Sequence, residues 1–228
     1  NIGNKAVIIY TKRIAKDNKK LQISDIPISS TISNIKGKIR FNETITPVLN
    51  KVMPIFVAIK DKSFELKVNE TSRFLINDSS TKIYFLDDYN IKDKKGDLYE
   101  VNIENGRLGK QVKVDSEVHY LFALSKGENT SIIYFKNYKD HKFDLYMDKV
   151  FIDSDVSVNM GIERIGNSKK IVYSTDWNPN KKSGVLKIYD GEKSKIISYE
   201  TNQFYILSDS RILYLDKFDE KIGKGDLY

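Results

Sequence analysis

Apolar residues in this chain come in short runs that alternate with polar ones, and the runs themselves recur in pairs. Ile83-Tyr84-Phe85-Leu86 is followed by Gly96-Asp97-Leu98-Tyr99, and Ile132-Ile133-Tyr134-Phe135 by Phe143-Asp144-Leu145-Tyr146. Ile171-Val172-Tyr173-Ser174 is followed by Gly184-Val185-Leu186-Lys187-Ile188-Tyr189, and Ile212-Leu213-Tyr214-Leu215 by Gly225-Asp226-Leu227-Tyr228. Runs of this length, rich in aromatic and β-branched residues and bounded by Gly, Asn, Asp and Lys, predict β-strands. With Tyr84, Tyr134, Tyr173 and Tyr214 as the frame, the copies are 50, 39 and 41 residues apart. The tyrosine of the second strand follows after 15, 12, 16 and 14 residues. A self-similarity of about forty residues made only of strand patterns predicts propeller blades, because one small twisted sheet cannot bury both of its faces alone.

The other strands of each blade follow from the same pattern. Val118-His119-Tyr120-Leu121-Phe122 and Phe204-Tyr205-Ile206-Leu207 read as inner strands, and Val112-Lys113-Val114 and Ile196-Ile197-Ser198-Tyr199 as outer ones. Strand, Asp/Asn-aromatic turn and Gly-Asp-Leu-Tyr together resemble the WD40-like repeats of TolB-type β-propellers, which also occur in the propeller half of prolyl-oligopeptidase-like proteins. The resemblance spans roughly residues 72 to 228 and is sharpest at Gly96 to Tyr99 and Gly225 to Tyr228. The expected fold is therefore all-β, a β-propeller of four-stranded antiparallel blades. Residues 1–228 form one domain or a fragment of one, with irregular blades over 1–70 and repeats at 72–117, 118–157, 158–203 and 204–228.

Within the irregular region, Val7 to Tyr10, Lys20 to Ile23, Ser29 to Ser33 and Lys38 to Phe41 read as strands. Pro54 to Ile59 and Phe64 to Val68 read as a hairpin, and helical periodicity is faint around Pro47 to Val52. Tyr228 closes a second strand with no outer strand after it. Either Val7 to Tyr10 supplies that strand and closes a ring of about five blades, or the ring is a truncated larger one.

Composition narrows the function classes. Lysines are interleaved with acids, so the net charge of +7 describes a solvated surface and not a nucleic-acid stripe. Cysteine is absent, which removes disulfides and thiolate metal sites. No apolar run reaches the ~18 residues needed for a membrane span. The richness in Lys, Asn and Ile points to a low-GC bacterial source, and the start at Asn1 to a chain cut downstream of a signal or anchor. A monomer outside the cytoplasm, at a Gram-positive cell surface, is the expectation.

The candidate site is the aromatic after each strong strand: Tyr89, Tyr138, Trp177 and Phe218, beside or near Asp88, Asn137, Asp176 and Asp216. Read as loop residues, they either fold back to pack between blades while the Asp or Asn caps a turn, or form an open rim that stacks sugars or grips peptide side chains. Catalysis has little to work with. The only histidines are His119, in a strand pattern, and His141, in a turn, and no Gly-x-Ser-x-Gly elbow occurs. A calcium loop over Asp87 to Asp93 fails because Lys92 sits where an oxygen ligand is needed. No cofactor or metal is expected. The leading expectation is a non-enzymatic scaffold that binds a protein, peptide or glycan. The alternative is the propeller portion of a larger hydrolase, or a propeller glycosidase drawing acids from several blades.

Overall fold

The computed structural model describes residues 7–11, 38–39, 55–59, 62–66, 73–77, 81–90, 92–126, 129–166, 168–207, 211–219 and 221–228. The expected strands at Lys20 and Ser29 and the helical pattern near Pro47 lie outside these residues. The described residues contain antiparallel β-strands and no helix, and the chain divides into two compact units.

The first unit comprises 1–33 and 46–121. In it β1 (Val7–Thr11) pairs with β3 (Ile55–Ile59), which forms the expected hairpin with β4 (Lys62–Leu66); β2 (Lys38–Ile39) belongs to the second unit. A separate four-stranded sheet runs in chain order through β5 (Arg73–Ile76), β6 (Lys82–Asn90), β7 (Lys95–Glu104) and β8 (Arg107–Val118). Leu66, Ile83, Phe85 and Val101 form the core of this unit, with Phe74, Tyr99 and Ile103 packed on them.

The second unit comprises 34–45 and 122–228. Its strands are β9 (Tyr120–Lys126), β10 (Asn129–Lys139), β11 (Lys142–Met147), β12 (Val150–Ser157), β13 (Ile162–Arg164), β14 (Ile171–Asn178), β15 (Ser183–Tyr189), β16 (Ser194–Ile206), β17 (Ile212–Asp219) and β18 (Lys224–Leu227). They hydrogen-bond in sequence order, with β13 flanking β14 and β2 laid against β13.

Two successive groups share a strand by a repeated device. β16 is one unbroken strand whose first half pairs with β15 and whose second half pairs with β17. Thr201 is the crossover residue, opposite Gly184 on one side and Asp216 on the other, and its Oγ1 donates to Asp216 Oδ1 at 2.7 Å. Val156 does the same for β12, facing Phe143 and then Thr175. The strand that ends one group thus begins the next, and the groups run on as one 11-stranded sheet.

Register corrects the sequence frame. Phe85 pairs with Tyr99 as Tyr134 pairs with Tyr146, and Tyr214 exchanges both backbone hydrogen bonds with Tyr228. These three pairs stack with ring centroids 5.6, 5.2 and 5.4 Å apart. The residue equivalent to Tyr134, Tyr173 and Tyr214 is therefore Phe85, and Tyr84 lies on the opposite face. The repeat steps become 49, 39 and 41. In the third copy the partner of Tyr173 is Lys187, not Tyr189. Its ammonium sits 2.8 Å from Asp153 Oδ2, which also accepts from the Tyr173 hydroxyl. Burial pushes the Tyr173 phenol up, so it remains a donor at any ordinary pH.

A one-residue slip exchanges the faces of a strand, so the corrected frame makes a sharp prediction. Phe85 is fully buried and Tyr84 is not. Phe85→Ala should cost about 3–5 kcal/mol in urea unfolding, and Tyr84→Ala clearly less. Equal losses would contradict the register.

Candidate functional site

The four aromatics lie inside strands, not in loops. Each follows a residue in the left-handed backbone region: Asp88 (φ 49°), Asn137 (φ 54°), Asp176 (φ 53°) and Lys217 (φ 49°). At these points two residues of one strand face one residue of the next. Asp88 and Tyr89 face Gly96, Asn137 and Tyr138 face Phe143, Asp176 and Trp177 face Gly184, and Lys217 and Phe218 face Gly225. This is a β-bulge with its first residue left-handed, a conformation that Asn and Asp adopt more readily than other non-glycine residues. The Asp/Asn-aromatic signature is thus first a backbone device. Asp216 stands one place earlier, and its carboxylate accepts from Ser198 Oγ and Thr201 Oγ1 within the sheet.

The glycine opposite is needed for close approach. A Cβ at Gly96, Gly184 or Gly225 would fall 2.7, 2.8 or 2.9 Å from the carbonyl oxygen of Asp87, Thr175 or Asp216. Phe143 fills the same position in the second copy. The Tyr138 ring lies on that phenyl group at 4.9 Å between centroids.

After the aromatic comes a turn-forming side chain. Asn90 Oδ1 accepts from the amides of Lys92 and Asp93, Asn178 Oδ1 from those of Asn180 and Lys181, and Asp219 Oδ1 from that of Lys221. Asn90 therefore closes a hairpin in the stretch tested as a calcium loop. Among the described residues no group of three or more His, Asp or Glu is placed to hold a metal ion, and no helix is long and apolar enough to cross a membrane.

The aromatics have different surroundings. Tyr89 is half-buried in the first unit, against Gly96. Tyr138 is 48% exposed, with its hydroxyl 3.3 Å from His141 Nδ1. Trp177 packs on the core of Met160, Ile165, Val172, Leu186 and Phe204. Phe218 is half-buried and lines an open cleft of about 400 Å³ with Lys181, Glu200, Asn202, Lys217 and Lys221.

Side chains join successive hairpins of the second unit along one end of its sheet. Lys142, from the β10–β11 hairpin, reaches Asp176 Oδ1 at 3.2 Å and Asp155 Oδ1 at 3.6 Å, and its hydrogen bond to Asp176 raises the Lys142 ammonium above its usual range. Lys181, in the β14–β15 turn, holds Glu200 at 2.9 Å and keeps that carboxyl below its ordinary value. Asn202 donates to Lys182 O at 2.8 Å and accepts from the Phe218 amide at 3.0 Å. These exposed ion pairs are screened by solvent and add little to stability; the Asn202 bridge ties the Phe218 amide to the β14–β15 turn.

His119 occupies in the first unit the place of Asn202 in the second, one residue past the strand residue opposite the glycine. Its Nδ1 is 3.0 Å from Lys94 O, which requires a proton on Nδ1. Burial pushes its pKa down, against the pull of that hydrogen bond.

No protein-family model and no curated protein matches the chain. Among solved structures, it is similar to two crystal structures of puromycin hydrolase, one of them a mutant complexed with PGG. Each shows 11% identity, with a TM-score of 0.44, over 76% of this chain and 32% of the other. The chain spans about a third of the length of those hydrolase chains.

The depressed His119 has a definite pH signature. Above the unfolded value near pH 6.5 the imidazole is neutral in both states and its burial costs nothing further. As pH falls from there through the lower folded value, the unfolded chain takes up the proton first and stability is lost. His119→Asn can keep the bond to Lys94 O, as Asn202 does to Lys182 O, and should flatten stability between about pH 7.5 and 5. An unchanged slope in urea unfolding would contradict this.

Proposed function

We propose that this chain is a non-enzymatic scaffold of the β-propeller type that binds a protein, peptide or glycan through the hairpin ends of its blades. The recurrence of the same strand pair at steps of 49, 39 and 41 residues supports the blade reading, because a propeller is built by repeating one small sheet. Location at a bacterial cell envelope belongs to the same proposal.

The observation that carries the binding reading is the Phe218 cleft. It combines one aromatic face with two cations, Lys217 and Lys221, the acid Asp219, a Lys181–Glu200 pair and a side chain, Asn202, that is held by backbone groups on both sides. An apolar surface with a few fixed polar groups is the usual make-up of a ligand site. Of the two acids that line the cleft, Glu200 is held ionised by Lys181 and Asp219 accepts from the Lys221 amide in its own turn, and neither histidine lines the cleft. Binding without turnover fits this set of groups better than hydrolysis.

Glycan and peptide arrays would identify a ligand, and calorimetric titration would then locate it. Phe218→Ala should weaken binding at least about tenfold, or about 1.4 kcal/mol, with the circular dichroism spectrum unchanged. Trp177→Ala is the poorer probe, since it opens the core. Unaltered affinity in Phe218→Ala would exclude the cleft, and turnover of an array ligand would exclude the non-enzymatic reading.

A further inference from the structure

The junctions between successive hairpins of the second unit differ in one charge. Between the second and third repeats the left-handed bulge residue is Asp176. Lys142 of the preceding hairpin meets it at 3.2 Å and meets Asp155, on the strand β12 between them, at 3.6 Å. At the next junction Lys181 of the preceding hairpin likewise meets Glu200, on the strand β16 between them, at 2.9 Å. The place of the second carboxylate is taken there by Lys217, the bulge residue of the fourth repeat. The sign at that position is reversed, and the junction holds an open cleft of about 400 Å³.

Two ammonium groups therefore share one carboxylate. The hydrogen bond from Lys181 first, and then the charge of Lys217, hold the Glu200 carboxyl below its ordinary value. The other charged residues of the lining, Asp219 and Lys221, offset one another. The cleft thus carries one positive charge in excess, at the place that the Asp176 carboxylate fills one repeat earlier. The remaining lining sets the shape of a ligand. Phe218 is its single apolar side chain, and Asn180, Ser183 and Asn202 are neutral and polar. One flat apolar face among many hydrogen-bonding groups suits a sugar ring, which lays a C–H face on an aromatic and turns its hydroxyls to polar neighbours. An apolar peptide side chain needs a more continuous apolar wall than one half-buried phenyl group provides.

We propose that the Phe218 cleft selects an anionic saccharide, a sugar ring bearing a carboxylate or sulfate group that settles between Lys181 and Lys217 while the ring lies on Phe218. The inference rests on the binding reading above and narrows its ligand from protein, peptide or glycan to an acidic glycan. Attraction across a partly solvated cleft is screened, so the preference for the acidic form falls as salt rises.

Calorimetric titration of the full chain with a trimer of galacturonic acid, its methyl ester and a galactose 6-sulfate trimer tests this. At least one acidic trimer should bind saturably and about tenfold or more tighter than the uncharged ester, and which one binds tells carboxylate from sulfate. Triglutamate, which offers charge without a sugar ring, should bind more weakly than that trimer. Lys217→Asn keeps a residue suited to the left-handed backbone and should bring the acidic trimer down to the level of the ester. Equal affinity for acid and ester, an unaltered preference in Lys217→Asn, or triglutamate binding as tightly as the trimers overturns the proposal. So does failure of both acidic trimers to bind; if an array ligand of another class still depends on Phe218, the binding reading stands and this inference alone falls.

Discussion

The structure depends on one backbone constraint, met four times. In each repeat a strand must take an extra residue with φ near +50° immediately before an aromatic side chain, and in three of the four the facing glycine comes close enough to leave almost no room for a Cβ. The bulge increases local twist and bends the strand at a fixed place. Every second strand of the described repeats therefore starts next to a bulge, and the hairpins of the second unit end up joined side by side through Lys142, Lys181 and Asn202.

From that constraint the character of the candidate surface follows. The bulge decides where each aromatic goes, and local packing decides whether it is available: Trp177 is taken up by the core, Tyr138 leans on the Phe143 that replaces a glycine, and Phe218 borders a cleft. Outer strands complete the pattern. Where one is present, the leucine of the second strand is sealed and a lysine of the hairpin meets an acid.

Much of this was legible in the sequence, and the misses have physical reasons. Strands and hairpins were readable because alternation is a local signal, as at Ile132 to Phe135 and Phe143 to Tyr146. The frame slipped at Tyr84 because Tyr84-Phe85 offers two adjacent aromatics and only pairing tells which faces inward. It slipped again at Tyr189 because the third copy puts Lys187 where the others have tyrosine, compensated by Asp153. Asp88, Asn137 and Asp176 stand out in the sequence as two carboxylates and an amide, while their left-handed backbone is the more general reason for their presence. Asn105-Gly106, with φ 50° and 73°, forms a two-residue hairpin turn that this dipeptide encodes locally. The placement of β2 beside β13 follows from contacts between residues more than a hundred positions apart, and nothing local encodes it.

The bulge account is tested most directly at Lys217, the one copy whose left-handed residue is neither Asp nor Asn. Urea unfolding of Lys217→Asn and Lys217→Val measures the backbone term with little change in packing, since this side chain is exposed. The account predicts that Lys217→Asn is at least as stable as the native chain and that Lys217→Val loses about 1–2 kcal/mol. Equal stability of the two variants would contradict it.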